Sequence, residues 1–119
     1  MVGMERWEVE TEPEVTDWLA SLPDGAFIAA SGHIDLLAEY GNTLREPHTK
    51  ALGGGLFELR FDLARRSWRI SFYYAPARLI VLLTVFAKQR RNEAAEAHRA
   101  RAAMTECRTH HSGQEGDDR

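Results

Sequence analysis

The chain has almost no cysteine. Cys107 is the only one among 119 residues, so no internal disulfide can form, and a reducing, cytoplasmic setting is expected. Long apolar runs are also missing. The longest, Leu79 to Ala87, is far too short to span a bilayer, and no membrane association is expected. The first ten residues, MVGMERWEVE, are acidic and lack an apolar leader core, so no signal peptide is expected. No segment repeats. There is no basic excess, since the net charge is −3, which argues against attraction of the whole molecule to nucleic acid. A hydrophobic fraction of 44% over 119 residues suits one globular domain with a single core.

The small net charge hides an asymmetry. Residues 1–40 hold one arginine against nine acidic residues, whereas residues 41–108 hold thirteen Lys and Arg against six. Such a division points to a local polyanion-binding surface in the second part of the chain.

The first part reads as helical. Trp7-Glu8-Val9-Glu10 alternates like a short strand. Thr11 and Glu14 then have the spacing of a capping box, with Pro13 in the first turn. Val15, Trp18, Leu19 and Leu22 form one helical stripe, and Pro23-Asp24-Gly25 breaks it. Asp24 is placed to cap a second helix, with Phe27, Ala30, Ile34 and Leu37 on its stripe and Gly41 as its left-handed C-terminal residue. Two helices so joined predict a helical hairpin. Residues 42–55 read as a loop carrying Arg45, Pro47, His48 and Lys50. Its Gly53-Gly54-Gly55 run does not match a nucleotide P-loop, and no helix follows it. Flexibility or close approach to a ligand is the expected use.

Residues 56–88 organise the chain. Phe57, Leu59 and Phe61 alternate with Glu58, Arg60 and Asp62. Trp68, Ile70, Phe72 and Tyr74 alternate with Arg69, Ser71 and Tyr73. A near-continuous apolar run from Leu79 to Phe86 follows. Period-two alternation marks half-buried strands, and a continuous run suits a central strand covered on both faces. The reading is a three-stranded antiparallel meander. A turn at Leu63 to Arg66 sets Arg60 opposite Arg69, and a turn at Ala75 to Arg78 sets Thr84 opposite Arg69. Arg60, Arg69, Ser71, Tyr73, Thr84 and Lys88 then share a face, and a one-residue slip would expose the aromatic stripe. Opposed arginines repel unless Glu58 or Asp62 pairs with one, or an anion sits between them. Guanidinium forks suit phosphate, Lys88 adds a point charge, and Tyr73 is placed to stack on a base, as single-stranded RNA would require. After residue 88, Asn92 is placed to cap an Ala-rich helix that ends near Met104 and offers little apolar surface for docking. The ordered domain is expected to span residues 1–104 and a disordered tail residues 105–119. His110-His111 lies in that tail. No set of three or four convergent metal ligands is apparent.

The sequence resembles the phage Gp49-like and HigB-type toxins of the RelE/ParE superfamily. The resemblance rests on Trp7-x-Val9, Val15-x-x-Trp18-Leu19, Pro47-His48-x-Lys50-x-Leu52, Gly55-Leu56-Phe57-Glu58-Leu59-Arg60, Trp68-Arg69-Ile70-x-Phe72 and Phe86-x-Lys88, in that order. It covers about residues 7–104. It implies an α+β fold: an N-terminal strand, a helical hairpin, a three-stranded antiparallel meander and a C-terminal helix. It implies the toxin of a type II toxin–antitoxin module, a metal- and cofactor-independent endoribonuclease that cuts mRNA on the ribosome through 2′-OH attack. A cognate antitoxin, usually of helix-turn-helix type, is the implied partner. Arg60, Arg69 and Lys88 fall on catalytic basic positions and Lys50 on a loop lysine. Where many relatives carry Lys-Lys after the phenylalanine, this chain has Lys88-Gln89, and Arg90 and Arg91 stand next to supply the charge. His48 is the only histidine near this region of the sequence, with a side chain suited to proton transfer. Lys50, His48, Tyr73, Arg45, Arg90 and Arg91 form the expected substrate-binding set. The competing reading is a toxin or phage-derived binding module of this fold that blocks a protein target without cutting RNA.

Overall fold

The computed structural model describes residues 6–117, and the side chains of residues 6–110. A strand β1 (Glu8–Thr11) leads into two helices, α1 (Pro13–Ala20) and α2 (Asp24–Tyr40). A short 3₁₀ turn at Gly41–Thr43 follows, then β2 (Thr49–Gly53), β3 (Leu56–Leu63), β4 (Arg66–Ala75), β5 (Leu79–Ala87) and a final helix α3 (Glu93–Asp117). The expected α+β fold is present, and its meander is the centre of a larger sheet. Five strands lie in the order β1-β5-β4-β3-β2, with β1 parallel to β5 and the other pairs antiparallel. The apolar run of β5 is thus a central strand, as its lack of alternation implied.

The additional strand, β2, lies where the sequence reads as a loop. Thr49-Lys50-Ala51-Leu52 has weak intrinsic strand preference, and pairing with β3 supplies what propensity does not. The glycine run is the turn of this hairpin. Gly53, Gly54 and Gly55 all have positive φ (94°, 65° and 89°), a conformation that side chains with a Cβ resist.

Two cores lie on opposite faces of the sheet. Val15, Ala30, Ile34 and Leu37 of α1 and α2 pack on Leu59, Phe61, Ile70, Phe72, Ile80, Leu82 and Val85. On the other face Ala100, Met104 and Cys107 of α3 pack on Leu56, Tyr73, Val81 and Leu83. The expected weak docking of this helix and its end near Met104 are both corrected: it continues to Asp117, with Met104 and Cys107 buried. Its anchors are single residues at i, i+4 and i+7 among alanines, a stripe narrow enough to be missed in the sequence. Arg101 adds two hydrogen bonds to the carbonyls of Gly53 (2.9 Å) and Leu52 (3.0 Å). His110 lies on α3, and His111 is outside the described side chains.

The expected capping box does not form. Thr11 belongs to β1, Glu12 precedes α1, and neither side chain caps the helix. Glu14 instead accepts the Val85 amide at 2.9 Å and pairs with Arg99 of α3 at 2.5 Å. β1 ends before Val85, so this carboxylate satisfies an edge amide that no strand reaches. Burial raises its pKa, but the Arg99 hydrogen bond, the Val85 amide and the Arg99 charge together hold it below the usual value. A depressed carboxylate contributes stability above its unfolded pKa and loses it as pH falls through the folded one. Glu14→Gln is therefore expected to lose about 1 kcal/mol at neutral pH, the scale of a half-exposed pair. The difference should shrink as the pH is lowered from 7 to 3 in urea unfolding. An equal deficit at both pH values would show that the carboxylate charge is not involved.

The strand register decides what faces outward. Arg60 pairs directly with Arg69, as the sequence predicts. The next hairpin differs. Ala75 pairs with Leu79, whereas Ser71 pairs with Thr84 and Arg69 with Phe86, because Leu83 forms a bulge. Thr84 is thus opposite Ser71 rather than Arg69. Without the bulge, the Ala75–Leu79 pairing would continue to Arg69 opposite Val85 and turn Thr84 and Lys88 towards the α1–α2 core. The extra residue restores their facing.

Candidate functional site

Helix α3 covers only part of its face of the sheet. The remainder is polar and is ordered in rows by the pairing. One row is Lys50, Glu58, Ser71 and Thr84; the next is Arg60, Arg69 and Phe86. In the third row Asp62 pairs with Ser67, whose carbonyl accepts the Lys88 amide at 2.7 Å. Ser71 and Thr84 form the floor. Both are buried, and their hydroxyls are 2.5 Å apart.

Arg60 and Arg69 share one counterion. Oε1 of Glu58 lies 3.6 Å from Nε of Arg60 and 3.7 Å from Nε of Arg69. Neither nitrogen has a hydrogen-bond partner, although both are buried. Arg69 is only 7% exposed, and one Nη donates to the Trp68 carbonyl at 3.1 Å. Burial raises the Glu58 pKa, Arg69 and Arg60 pull it down, Glu93 pushes it up, Lys50 pulls it down, and the net shift is upward. One strained carboxylate thus faces two guanidiniums, leaving positive charge uncompensated in a poorly solvated place.

A cleft of about 450 Å³ opens beside this pair, lined by His33, Pro47, His48, Arg60, Phe61, Asp62, Ser67 and Arg69. His48 is brought there because the chain preceding β2 continues along β3: the Arg60 amide donates to the His48 carbonyl at 2.8 Å. His33 comes from α2 and stacks on Phe61, with ring centroids 4.8 Å apart and planes 18° from parallel. Ser67 donates to Asp62 at 2.9 Å. Burial lowers the pKa of His33, the nearby His48 lowers it further, and Asp62 opposes them.

The structure therefore gathers Arg60, Arg69 and His48 into one cleft. Lys50 and Lys88 belong to the flanking rows, and Lys88 Nζ pairs with Glu93 at 3.3 Å. Arg90 and Arg91 are exposed in the turn after β5. Two expected site residues lie elsewhere. Arg45 lines a separate groove with Thr49, Ala51 and Phe57, on the other face of the β2–β3 edge. Tyr73 is buried under α3, donates to Sγ of Cys107 at 3.3 Å and lies beneath Arg108. It cannot stack on a base while that helix is in place. Asn92 precedes α3 as expected, but its side chain turns back to the Gln89 amide and the Ala87 carbonyl.

Sequence reasoning passed over His33 and Ser67 and took Asp62 only as a counterion for the arginines. Asp62 and Ser67 were legible from the hairpin register, being the next pair after Arg60 and Arg69. His33 was not. It is 15 residues from His48 in a helix otherwise read as packing, so the expectation of a single nearby histidine is corrected. Among the described residues no group of three or more His, Cys, Asp or Glu is placed to hold a metal ion. No described helix is long and apolar enough to cross a membrane.

The fold is that of solved RelE proteins. A mutant of the Escherichia coli toxin RelE in its free state is 10% identical, covers 86% of this chain and 98% of its own, and superposes with a TM-score of 0.59. The RelE–RelB complex from the archaeon Pyrococcus horikoshii provides a neighbour at 21% identity, covering 72% of this chain and 99% of its own, with a TM-score of 0.52. No curated protein sequence matches the chain. A family model described as "Phage derived protein Gp49-like" matches residues 17–108. That span includes α2, both histidines, the arginine pair and the whole meander, and the chain belongs to this Gp49-like, RelE-folded family.

Proposed function

We propose that the protein is the toxin of a toxin–antitoxin module and cleaves mRNA on the ribosome without a metal ion. The observation that carries this reading is the pair of buried Arg69 and half-buried Arg60, under-compensated by Glu58 and open to a cleft that also holds imidazoles. RNA supplies its own nucleophile. The 2′-OH attacks the adjacent phosphorus, and the enzyme must orient that attack, move two protons and stabilise the phosphorane. Arg60 and Arg69 stabilise the equatorial oxygens, and Arg69 is already largely desolvated. Lys88 and Lys50 hold flanking phosphates, and Arg90 and Arg91 extend the basic track past β5. His48 handles a proton. The partners in this reading are the ribosome, mRNA and a cognate antitoxin of helix-turn-helix type, and the site of action is the cytoplasm.

The test is induced expression followed by mapping of mRNA 5′ ends. Codon-phased cuts are expected from the parent and none from Arg60→Ala. Growth arrest with intact mRNA would overturn cleavage and favour a protein that blocks its target by binding.

A further inference from the structure

We propose that His33 on α2 is the general base of this site and His48 the general acid. The inference rests on the RNA-cleavage reading. Four elements converge on the one cleft: α2 with His33, the loop with His48, β3 with Arg60 and Asp62, and β4 with Arg69. Two imidazoles and two guanidiniums lining one cleft match the needs of phosphodiester cleavage, which takes one proton from O2′ and gives one to O5′.

The assignment of roles follows from their surroundings. His33 is half-buried and stacked on Phe61, which fixes the ring plane. Asp62, Arg60, Arg69 and His48 are the charged and titratable groups that share its cleft. Burial and the neighbouring His48 favour its neutral form, against the smaller opposing pull of Asp62. A neutral imidazole is the form that accepts a proton. His48 is exposed on a loop, where solvent can reload it.

The step balances. His33 takes the 2′ proton as the O2′–P bond forms, and the P–O5′ bond breaks as His48 in its imidazolium form protonates O5′. The products are a 2′,3′-cyclic phosphate and a 5′-hydroxyl end. Afterwards His33 carries the extra proton and His48 lacks one, and exchange with water restores both.

The experiment uses the full chain with ribosomes programmed by a defined mRNA, under single turnover, from pH 5.5 to 8.5. The parent rate is expected to rise and then fall with pH, the acid limb reporting the need for neutral His33 and the alkaline limb the need for His48 as imidazolium. His33→Gln should cut about 100-fold or more slowly and lose the acid limb of that profile. Binding of an mRNA with a 2′-deoxy nucleotide at the cut position should change less than about twofold, since His33 acts on a proton and not in affinity. His33→Phe keeps the stack on Phe61 and should be equally slow. Cleavage by either variant within about threefold of the parent, with the acid limb retained, would make His33 a packing residue and overturn the proposal. If the parent itself makes no cut, the RNA-cleavage reading fails and this inference with it. A measurement free of folding concerns is the NMR titration of the His33 ring. In His48→Ala it should move to higher pH, and an unchanged titration would remove the coupling on which the pair rests.

Discussion

Replacing Arg69 with methionine is expected to abolish cleavage and to leave the fold at least as stable as before. A phosphorane-stabilising donor in a desolvated site accounts for about a 100- to 1000-fold rate effect. The stability side runs the other way. Arg69 is a buried cation whose counterion lies at 3.7 Å and is shared with Arg60, and its Nε makes no hydrogen bond. Burial of such a charge is offset only by excellent geometry, which is missing here, and an apolar side chain of similar length is commonly neutral or stabilising. Glu58 keeps Arg60 as its partner in the variant. A thermal melt together with 5′-end mapping decides the matter. An unchanged or higher melting temperature with lost cuts is the signature of a residue retained for function. A clearly lower melting temperature with cleavage intact would show a structural ion-pair network instead.

Truncation of Met104 to alanine is expected to destabilise the protein by about 3 kcal/mol, the range for a buried methionine that leaves a cavity. Met104 is 4% exposed and fills the space between α3 and Leu56, Tyr73, Val81 and Leu83. An exposed position on the same helix, Ala95→Gly, should lose only about 1 kcal/mol through helix propensity. Urea unfolding of the two variants separates packing from propensity. Similar small losses in both would restore the expectation that α3 docks weakly. The outcome bears on the site, because this helix covers the apolar half of the sheet face and leaves the cationic half open.

The parts legible in the sequence are those set by local periodicity. Alternation in Phe57–Phe61 and Trp68–Tyr74 defined two strands and their faces, and the short link at Ala64–Arg65 set Arg60 against Arg69. Where one face must be buried, register follows from burial, since a one-residue slip inverts every side chain. The same reasoning misplaced Thr84, because a bulge at Leu83 is a choice between packing arrangements and leaves no periodic mark. It also counted Tyr73 with the cations, which share its face of the sheet, but a helix from the far end of the chain covers that end of the face.

By itself the sequence determined the strand order within the meander, the opposed arginines and the acidic–basic division of the chain. Each follows from residues close together along the chain, through side-chain alternation and short turns. Only the tertiary structure decided that His33 meets His48, that β2 forms, that α3 is anchored by Ala100, Met104 and Cys107, and that Glu14 serves a sheet edge instead of a helix end. These depend on contacts between distant segments, whose free energy comes from burying apolar surface against a partner that no local pattern identifies.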